Sequence, residues 1–137
     1  MSKRLEFTGW YSKNGNSSVI PTIQNPSNEQ LLLWLNVIES ANVGKVKLEN
    51  LKPETDTSPE NLTLSFENDN YLLMLFDFDE NGDVNIRSTH NNDSDKSYIN
   101  ILGDDFSSAL ITHDFNIVKI SFIEFNNNLN VSKEILT

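Results

Sequence analysis

The stretch that most constrains the fold runs from Leu62 to Arg87, because it carries three consecutive strand signals. Apolar residues alternate with polar ones from Leu62 to Phe66, which is the period of a strand with one buried face. A turn of Asn and Asp residues leads into Tyr71–Phe76, a continuously apolar run whose short length favours a strand covered on both faces. Asn81-Gly82 is a strong hairpin signal. We predict three antiparallel strands, with the middle one, Tyr71–Phe78, at the centre of the sheet.

Upstream, Arg4–Ser12 predicts a first strand in which Gly9 marks a bulge or a close approach, and Val19-Ile20 predicts a short strand ended by Pro21. Ser27 and Gln30 have the spacing of a capping box at the start of a helix. Apolar residues then recur at helical spacing, so this helix should pack one face on the sheet and end near Ala41–Asn42. The alternating segment Lys45–Leu51 predicts another strand.

Downstream, the polar segment Ser88–Ser97 predicts a mobile connection, and the apolar residues of Tyr98–Leu102 predict a strand stopped by Gly103-Asp104-Asp105. Residues 114–126 support two interpretations. Phe115, Val118, Phe122 and Phe125 lie on one helical stripe, and Thr112 or Asp114 can cap a helix. The Ile and Val content favours a strand instead. We predict the helix, stopped by Asn126–Asn128, and then a short turn capped by Ser132.

These elements predict one α+β domain over residues 1–137, with a mostly antiparallel β-sheet and two main helices packed on it. Ten basic and twenty acidic residues give a net charge of −10. That charge argues against nucleic acid and anionic membranes as partners. The chain has no cysteine, and its N-terminus lacks the apolar core of a signal peptide, so we expect a cytoplasmic protein.

The sharpest chemical motif is Asp77-x-Asp79-x-Asn81-Gly82, which matches the first half of an EF-hand calcium loop. Position 12 should be a bidentate Glu and is Ser88, so an acidic hairpin turn is the favoured interpretation and a calcium-binding module the alternative. His90 and His113 have no second metal ligand at a typical spacing. We therefore predict no enzyme activity, no cofactor and no metal site.

Trp10 and Tyr11 precede a loop rich in Gly, Asn and Ser. Core packing at the end of the first strand is the favoured interpretation. The alternative is an exposed aromatic anchor for a partner, since Trp and Tyr are enriched among the residues that dominate binding energy.

Several local phrases resemble the small immunity proteins of bacterial contact-dependent growth inhibition and polymorphic toxin systems. They are Gly9-Trp10-Tyr11 with its Gly/Ser loop, Pro26 and the Leu-rich helix, Lys45–Leu48, Leu62–Phe66, Asn68–Leu75, Ile111–Asp114, Glu124-Phe125 and Val131-Ser132.

The resemblance implies a protein that binds a cognate toxin C-terminal domain and blocks its active site or substrate surface. Many such toxins are nucleases with basic clefts, and an acidic partner would complement them. Loops usually carry binding contacts, so we predict partner-binding acids in the turns and loops. They are Asp79, Glu80, Asp83, Asp93, Asp95, Asp104 and Asp105.

Overall fold

The computed structural model of the chain describes residues 4–92 and 97–137. Its main element is a six-stranded antiparallel sheet in the order β2-β1-β3-β4-β5-β6. The strands are β1 (Leu5–Lys13), β2 (Asn16–Gln24), β3 (Val43–Asn50), β4 (Asn61–Glu67), β5 (Asn70–Phe78) and β6 (Val84–Arg87). The described residues also form a small sheet of β7 (Tyr98–Ile101) and β8 (Asp104–Ser107), a 3-10 helix (Ser108–Leu110), and the helices α1 (Asn28–Glu39) and α2 (Phe115–Asn128). The predicted α+β fold is confirmed.

The three strands predicted from the central stretch are β4, β5 and β6, and they pair as antiparallel neighbours. The prediction that Tyr71–Phe78 lies at the centre of the sheet is wrong, because β5 is next to the edge and β3 and β4 are central. The difference comes from the pairing of β1 with β3, which adds two strands on the far side. Turn signals identify hairpin neighbours, but they carry no information about such a long-range pair.

Helix α1 begins with the predicted capping box. The Ser27 Oγ accepts a hydrogen bond from the Gln30 amide at 3.1 Å, and the Gln30 Oε1 accepts one from the Ser27 amide at 2.9 Å. The helix ends at Glu39, earlier than predicted. Its buried residues, Leu31, Leu35 and Ile38, pack into the core on one face of the sheet.

Helix α2 settles the two interpretations of residues 114–126 in favour of a helix capped by Asp114, whose carboxylate accepts from the Asn116 amide at 3.0 Å. The predicted stop at Asn126–Asn128 is wrong, since the helix includes all three asparagines and ends before Leu129, which has a φ of 58°. The buried Asn126 instead joins the two helices, because its Nδ2 donates to the Pro26 carbonyl at 3.0 Å.

The predicted stop at Pro21 is also wrong, because β2 continues through it to Gln24. β2 is an edge strand, and an edge strand tolerates a proline whose missing N–H would face outward. Gly9 lies at an irregularity of the β1–β2 pair, because Phe7 pairs with Ile23 and Gly9 with Ile20, which leaves the extra residue in β2.

The core lies between the sheet and the helices. The rings of Phe7 on β1 and Phe122 on α2 meet edge to face, with centroids 6.1 Å apart. Tyr71 on β5 packs edge to face against Phe115 with centroids 5.0 Å apart. These contacts fix α2 across the middle of the sheet, where it packs on β3, β4 and β5.

The buried Arg87, at the end of β6, holds the C-terminal segment (residues 130–137) against the face of the sheet that the helices cover. Its Nε donates to the Leu136 carbonyl at 3.0 Å, its Nη1 to the Asn130 side-chain oxygen at 3.0 Å, and its Nη2 to the Val131 carbonyl at 2.6 Å. Nη1 also lies 3.6 Å from the Asp77 carboxylate. The segment itself contains the predicted turn, in which the Ser132 Oγ accepts from the Glu134 amide.

The segment predicted as a polar, mobile connection begins in the interior. Ser88 and Thr89 are buried, and the Thr89 hydroxyl donates to the Leu110 carbonyl at 3.1 Å. The prediction is wrong for these two residues because it relied on their polarity, and small hydroxyl side chains can be buried once they are hydrogen-bonded. β7 follows as predicted, but Asp104 and Asp105 belong to the returning strand β8, not to a stop.

Gly9 allows β1 and β3 to approach closely. A Cβ at this position would lie 2.5 Å from the Lys45 carbonyl oxygen and 2.6 Å from the Val46 side chain. We expect Gly9→Ala to lower the free energy of unfolding by about 1–3 kcal/mol through overpacking, measured by urea denaturation. Gly15→Ala is the matched control, since nothing lies within 4 Å there and only its φ of +83° disfavours alanine. A smaller loss at Gly9 than at Gly15 would contradict the steric argument.

Candidate functional site

The sheet has one face covered by the helices and an opposite face, here called the open face, that is only partly covered by β7 and β8. Residues directly opposite each other on neighbouring strands share a face. One row across the open face therefore joins Trp10, Lys45, Ser65 and Leu72, and the next joins Thr8, Lys47, Thr63 and Met74. The small sheet covers Leu72, which packs with Ile101 and Ile111.

The β6 side of the open face is apolar and exposed. Phe76 lies opposite Ile86, and Phe78 lies opposite Val84. Val84 and Ile86 are 63% and 48% exposed. β6 is an edge strand, and Phe78 also lines a small cleft with Pro53 and Glu60 of the β3–β4 loop. Phe76 and Phe78 are half-buried, so two exposed and two half-buried apolar side chains lie together on this edge, an arrangement found at surfaces that a partner covers.

The predicted acidic turn joins this apolar edge directly, since Asp79 follows Phe78 and Asp83 precedes Val84. The Asp79 Oδ1 accepts hydrogen bonds from the Asn81 amide at 2.8 Å and the Asp83 amide at 2.9 Å. Asp79 therefore holds the turn, while Glu80 and Asp83 are exposed at its surface. We call this turn together with the four apolar side chains the docking edge (Phe76, Phe78, Asp79, Glu80, Asp83, Val84 and Ile86).

The same turn contains the sequence motif that matches the first half of an EF-hand calcium loop. Asp77, the first residue of that motif, accepts from the Phe78 amide at 2.7 Å and pairs with Arg87. Within residues 4–92 and 97–137, no group of three or more His, Asp or Glu side chains is arranged to hold a metal ion. The Asp77 and Asp79 carboxylates serve the local fold.

Towards β1, the open face forms a groove of about 600 Å³ under the small sheet. Its floor consists of side chains from β1, β3, β4 and β5, and its wall consists of β7, β8 and their turn. The lining side chains include Trp10, Lys45, Lys47, Thr63, Met74, Phe76, Leu102, Asp104 and Phe106.

Trp10 is 36% exposed on the groove floor, so the favoured interpretation of core packing is wrong for this residue. Tyr11 points to the other face and packs against the core beside the helices, so core packing is confirmed there. The alternation of the strand explains the split, because successive side chains point to opposite faces.

The predicted partner-binding acids do not form one cluster. Asp79, Glu80 and Asp83 share the β5–β6 turn, whereas Asp104 lines the groove. Asp105 accepts a hydrogen bond from the Asn100 side chain at 3.0 Å. Asp93 and Asp95 lie outside the described residues.

Sequence reasoning missed the apolar half of the docking edge and the lysines of the groove. Val84 and Ile86 are exposed, whereas Arg87, on the other face of β6, is buried. Lys45 and Lys47 alternate with Val46 and Leu48, which is a signal for one exposed basic face. Only the pairing of β3 with β1 shows that Trp10 lies beside them.

Both histidines line a second, shallower cleft, which lies beside the start of α2. The His90 Nδ1 lies 3.1 Å from the Ser88 carbonyl, and the His113 Nδ1 lies 3.1 Å from the Asp69 carbonyl. Their ring nitrogens thus contact backbone carbonyls. His113 connects the β4–β5 turn with the residues that directly precede α2.

Tyr71 lies next to this cleft, with its hydroxyl 3.5 Å from the Asp69 carboxylate. Burial raises the pKa of Tyr71 from 10.0 to about 12, and the negative charges of Asp69 and Glu39 add to the effect. The folded state therefore binds this proton more tightly than the unfolded state. The resulting stability is complete below pH 10 and is lost as the pH rises through the folded pKa of about 12.

We expect Tyr71→Phe to be less sensitive to alkaline pH than the unchanged protein. The difference in unfolding free energy between the two should shift in favour of the variant as the pH rises from 10 to 12. Urea denaturation across this range measures the shift, and phenolate absorbance reports the titration. Tyr98→Phe is the matched control, since Tyr98 is exposed. Equal pH dependence of the Tyr71→Phe variant and the unchanged protein would contradict the assignment.

A protein-family model matches residues 4–135, which is nearly the whole described chain. The chain belongs to DUF6911, a family of unknown function. This family member is similar in structure to a hypothetical protein from Neisseria gonorrhoeae, with a TM-score of 0.80 and 22% sequence identity over 96% of this chain and 92% of the other. That likeness supports the fold. No curated protein matches the chain. In the described residues, no helix has the length and apolar character needed to cross a bilayer.

Proposed function

We propose that this protein is an immunity protein that acts in the cytoplasm by binding a basic toxin domain through the docking edge. The observation that carries the proposal is the direct continuity of the acidic turn with an apolar edge, formed by the exposed Val84 and Ile86 and the half-buried Phe76 and Phe78. Bound toxin would be held away from its substrate, so the protein needs affinity and no chemistry of its own.

The two parts of the docking edge have different tasks. Glu80 and Asp83 create a negative field that attracts a basic partner and speeds association. Val84 and Ile86, with Phe76 and Phe78 beneath them, provide apolar area that is removed from water on binding and slows dissociation. An apolar centre with a charged rim is the usual composition of a protein–protein interface.

Three further observations support this proposal. The net charge is −10, so the whole molecule favours a basic partner. The resemblance to immunity proteins covers phrases on most strands and on both helices. Asp79 is hydrogen-bonded within the turn, so the acidic residues start from an ordered conformation and less entropy is lost on binding.

The test is co-expression with the toxic C-terminal domain encoded just upstream of this chain. We expect cells to survive, and the two proteins to co-purify as a stable complex. The docking edge is then mapped by hydrogen–deuterium exchange, with protection expected at the β5–β6 turn and β6. An unrelated toxin domain of similar charge is the specificity control, and it should remain lethal.

Death of the co-expressing cells together with the absence of a complex would overturn the immunity function. Survival with protection confined to another surface would retain that function and overturn the docking edge.

A further inference from the structure

The groove of the open face has the dimensions of a ligand site. Its volume is about 600 Å³, within the range of roughly 300–1,000 Å³ usual for small-molecule pockets. It shares Phe76 with the docking edge and otherwise consists of different residues. An inference about it therefore stands apart from toxin binding.

The charge of the groove is opposite to that of the protein. Its lining contains Lys45 and Lys47 and a single acid, Asp104, in a chain with a net charge of −10. Lys47 is paired with Glu49 at 3.2 Å, whereas Lys45 has no ion-pair partner among the described residues. A cation without a counterion on a groove floor favours an anionic group.

The rest of the lining is apolar, with hydroxyl groups between. Trp10 stands beside Lys45 in one row across the sheet. Met74 and Phe76 continue the floor towards β6, while Leu102 and Phe106 form the wall. Thr63 offers a hydroxyl group, although it already donates to the Asn61 side chain at 2.7 Å. Such a lining would accept an aromatic or aliphatic body attached to the anionic group.

We propose that the groove binds a small organic anion, with its carboxylate or sulfonate at Lys45 and its apolar body between Trp10 and the wall of the small sheet. Asp104 at the rim opposes anion binding and so limits the affinity. The two charged residues therefore predict opposite effects when each is neutralised, which a general change in stability would not produce.

The probe is anilinonaphthalene sulfonate, an aromatic sulfonate whose fluorescence rises in an apolar environment. We expect saturable binding to the full chain, weakened about fivefold by Lys45→Ala and strengthened about twofold by Asp104→Asn, since each removes one charge interaction near the surface. Lys133→Ala is the matched control, because Lys133 is an exposed lysine of the C-terminal segment, and it should leave binding unchanged. Thermal melts of all four proteins establish that the folded form binds the probe.

Competition experiments distinguish the contribution of the ligand's negative charge from that of its apolar body. Naphthoate and decanoate should displace the probe, whereas naphthamide and decanol, which have the same bodies without charge, should displace it poorly. Failure of the probe to bind would overturn the proposal. It would also be overturned by equal effects of Lys45→Ala and Lys133→Ala, or by displacement that ignores the charge of the competitor. None of these outcomes affects the test of toxin binding, which is read from cell survival and co-purification.

Discussion

Replacing Arg87 with methionine is expected to lower the free energy of unfolding by about 3–5 kcal/mol, the largest effect of any single substitution considered. The guanidinium is 3% exposed and donates to two backbone carbonyls and one side-chain oxygen of the C-terminal segment. Methionine fills much of the volume but supplies no donor. Those oxygens and the Asp77 carboxylate would then be left in the interior without their partner, at a cost that exceeds the worth of the original bonds.

Urea denaturation measures this loss, and hydrogen exchange locates it. We expect the C-terminal segment to lose protection first, because Arg87 is its main polar attachment to β6. Lys133→Met is the matched control, since it removes an exposed cation and should change stability by less than about 0.5 kcal/mol. A loss of about 1 kcal/mol or less for Arg87→Met would show that the hydrogen bonds of Arg87 contribute little to holding the segment.

Reversing the charge of Glu80 and Asp83 together, as Glu80→Lys and Asp83→Lys, is expected to slow association with the toxin about tenfold at low salt. Asp79 is left unchanged because it holds the turn through two backbone amides. The effect should shrink as salt rises, since these exposed charges are screened. Ile86→Ala should instead raise the dissociation rate, because it removes apolar contact area without changing charge.

Surface plasmon resonance separates the two rates. The control for the charge reversal is Glu29→Lys with Glu134→Lys, which changes the net charge equally at two exposed sites away from the docking edge. If both pairs slow association to the same degree, the total charge steers the encounter and the acidic turn has no special part. If neither pair slows it, the electrostatic account of the docking edge fails, whether or not the complex forms.

The parts of the fold that sequence could predict are those governed by local rules. The Ser27–Gln30 capping box and the β4–β5–β6 hairpins depend on residues a few positions apart, and both are confirmed. The helical stripe of α2 is likewise local. The parts that could not be predicted depend on tertiary partners. Asn126 remains in the helix because its amide binds near the start of α1, a hundred positions away.

The candidate site likewise has features that local sequence rules predict and features that depend on tertiary structure. The exposed position of the acids in the β5–β6 turn could be predicted because turns and charge are visible in sequence, and the structure places these acids beside the apolar side chains of Phe78 and Val84. Strand alternation shows that Val84 and Ile86 share a face, yet it cannot say which face the helices cover. Trp10 was assigned to the core for the same reason, since a one-residue difference in phase exchanges the buried and exposed positions of a strand.

The order of the strands also determines what the ribosome exposes during synthesis. Most neighbours in the large sheet are consecutive in the chain, so the strands can pair as they emerge. The face of β3, β4 and β5 that packs against α2 stays uncovered until α2 has been synthesised, because α2 follows Asp114 in the chain. At about 5–20 residues per second, the nascent sheet displays Phe66 and Leu73 to the cytosol for roughly 3–10 s before Phe122 arrives. During that interval the apolar face of the growing sheet would lack its helical cover.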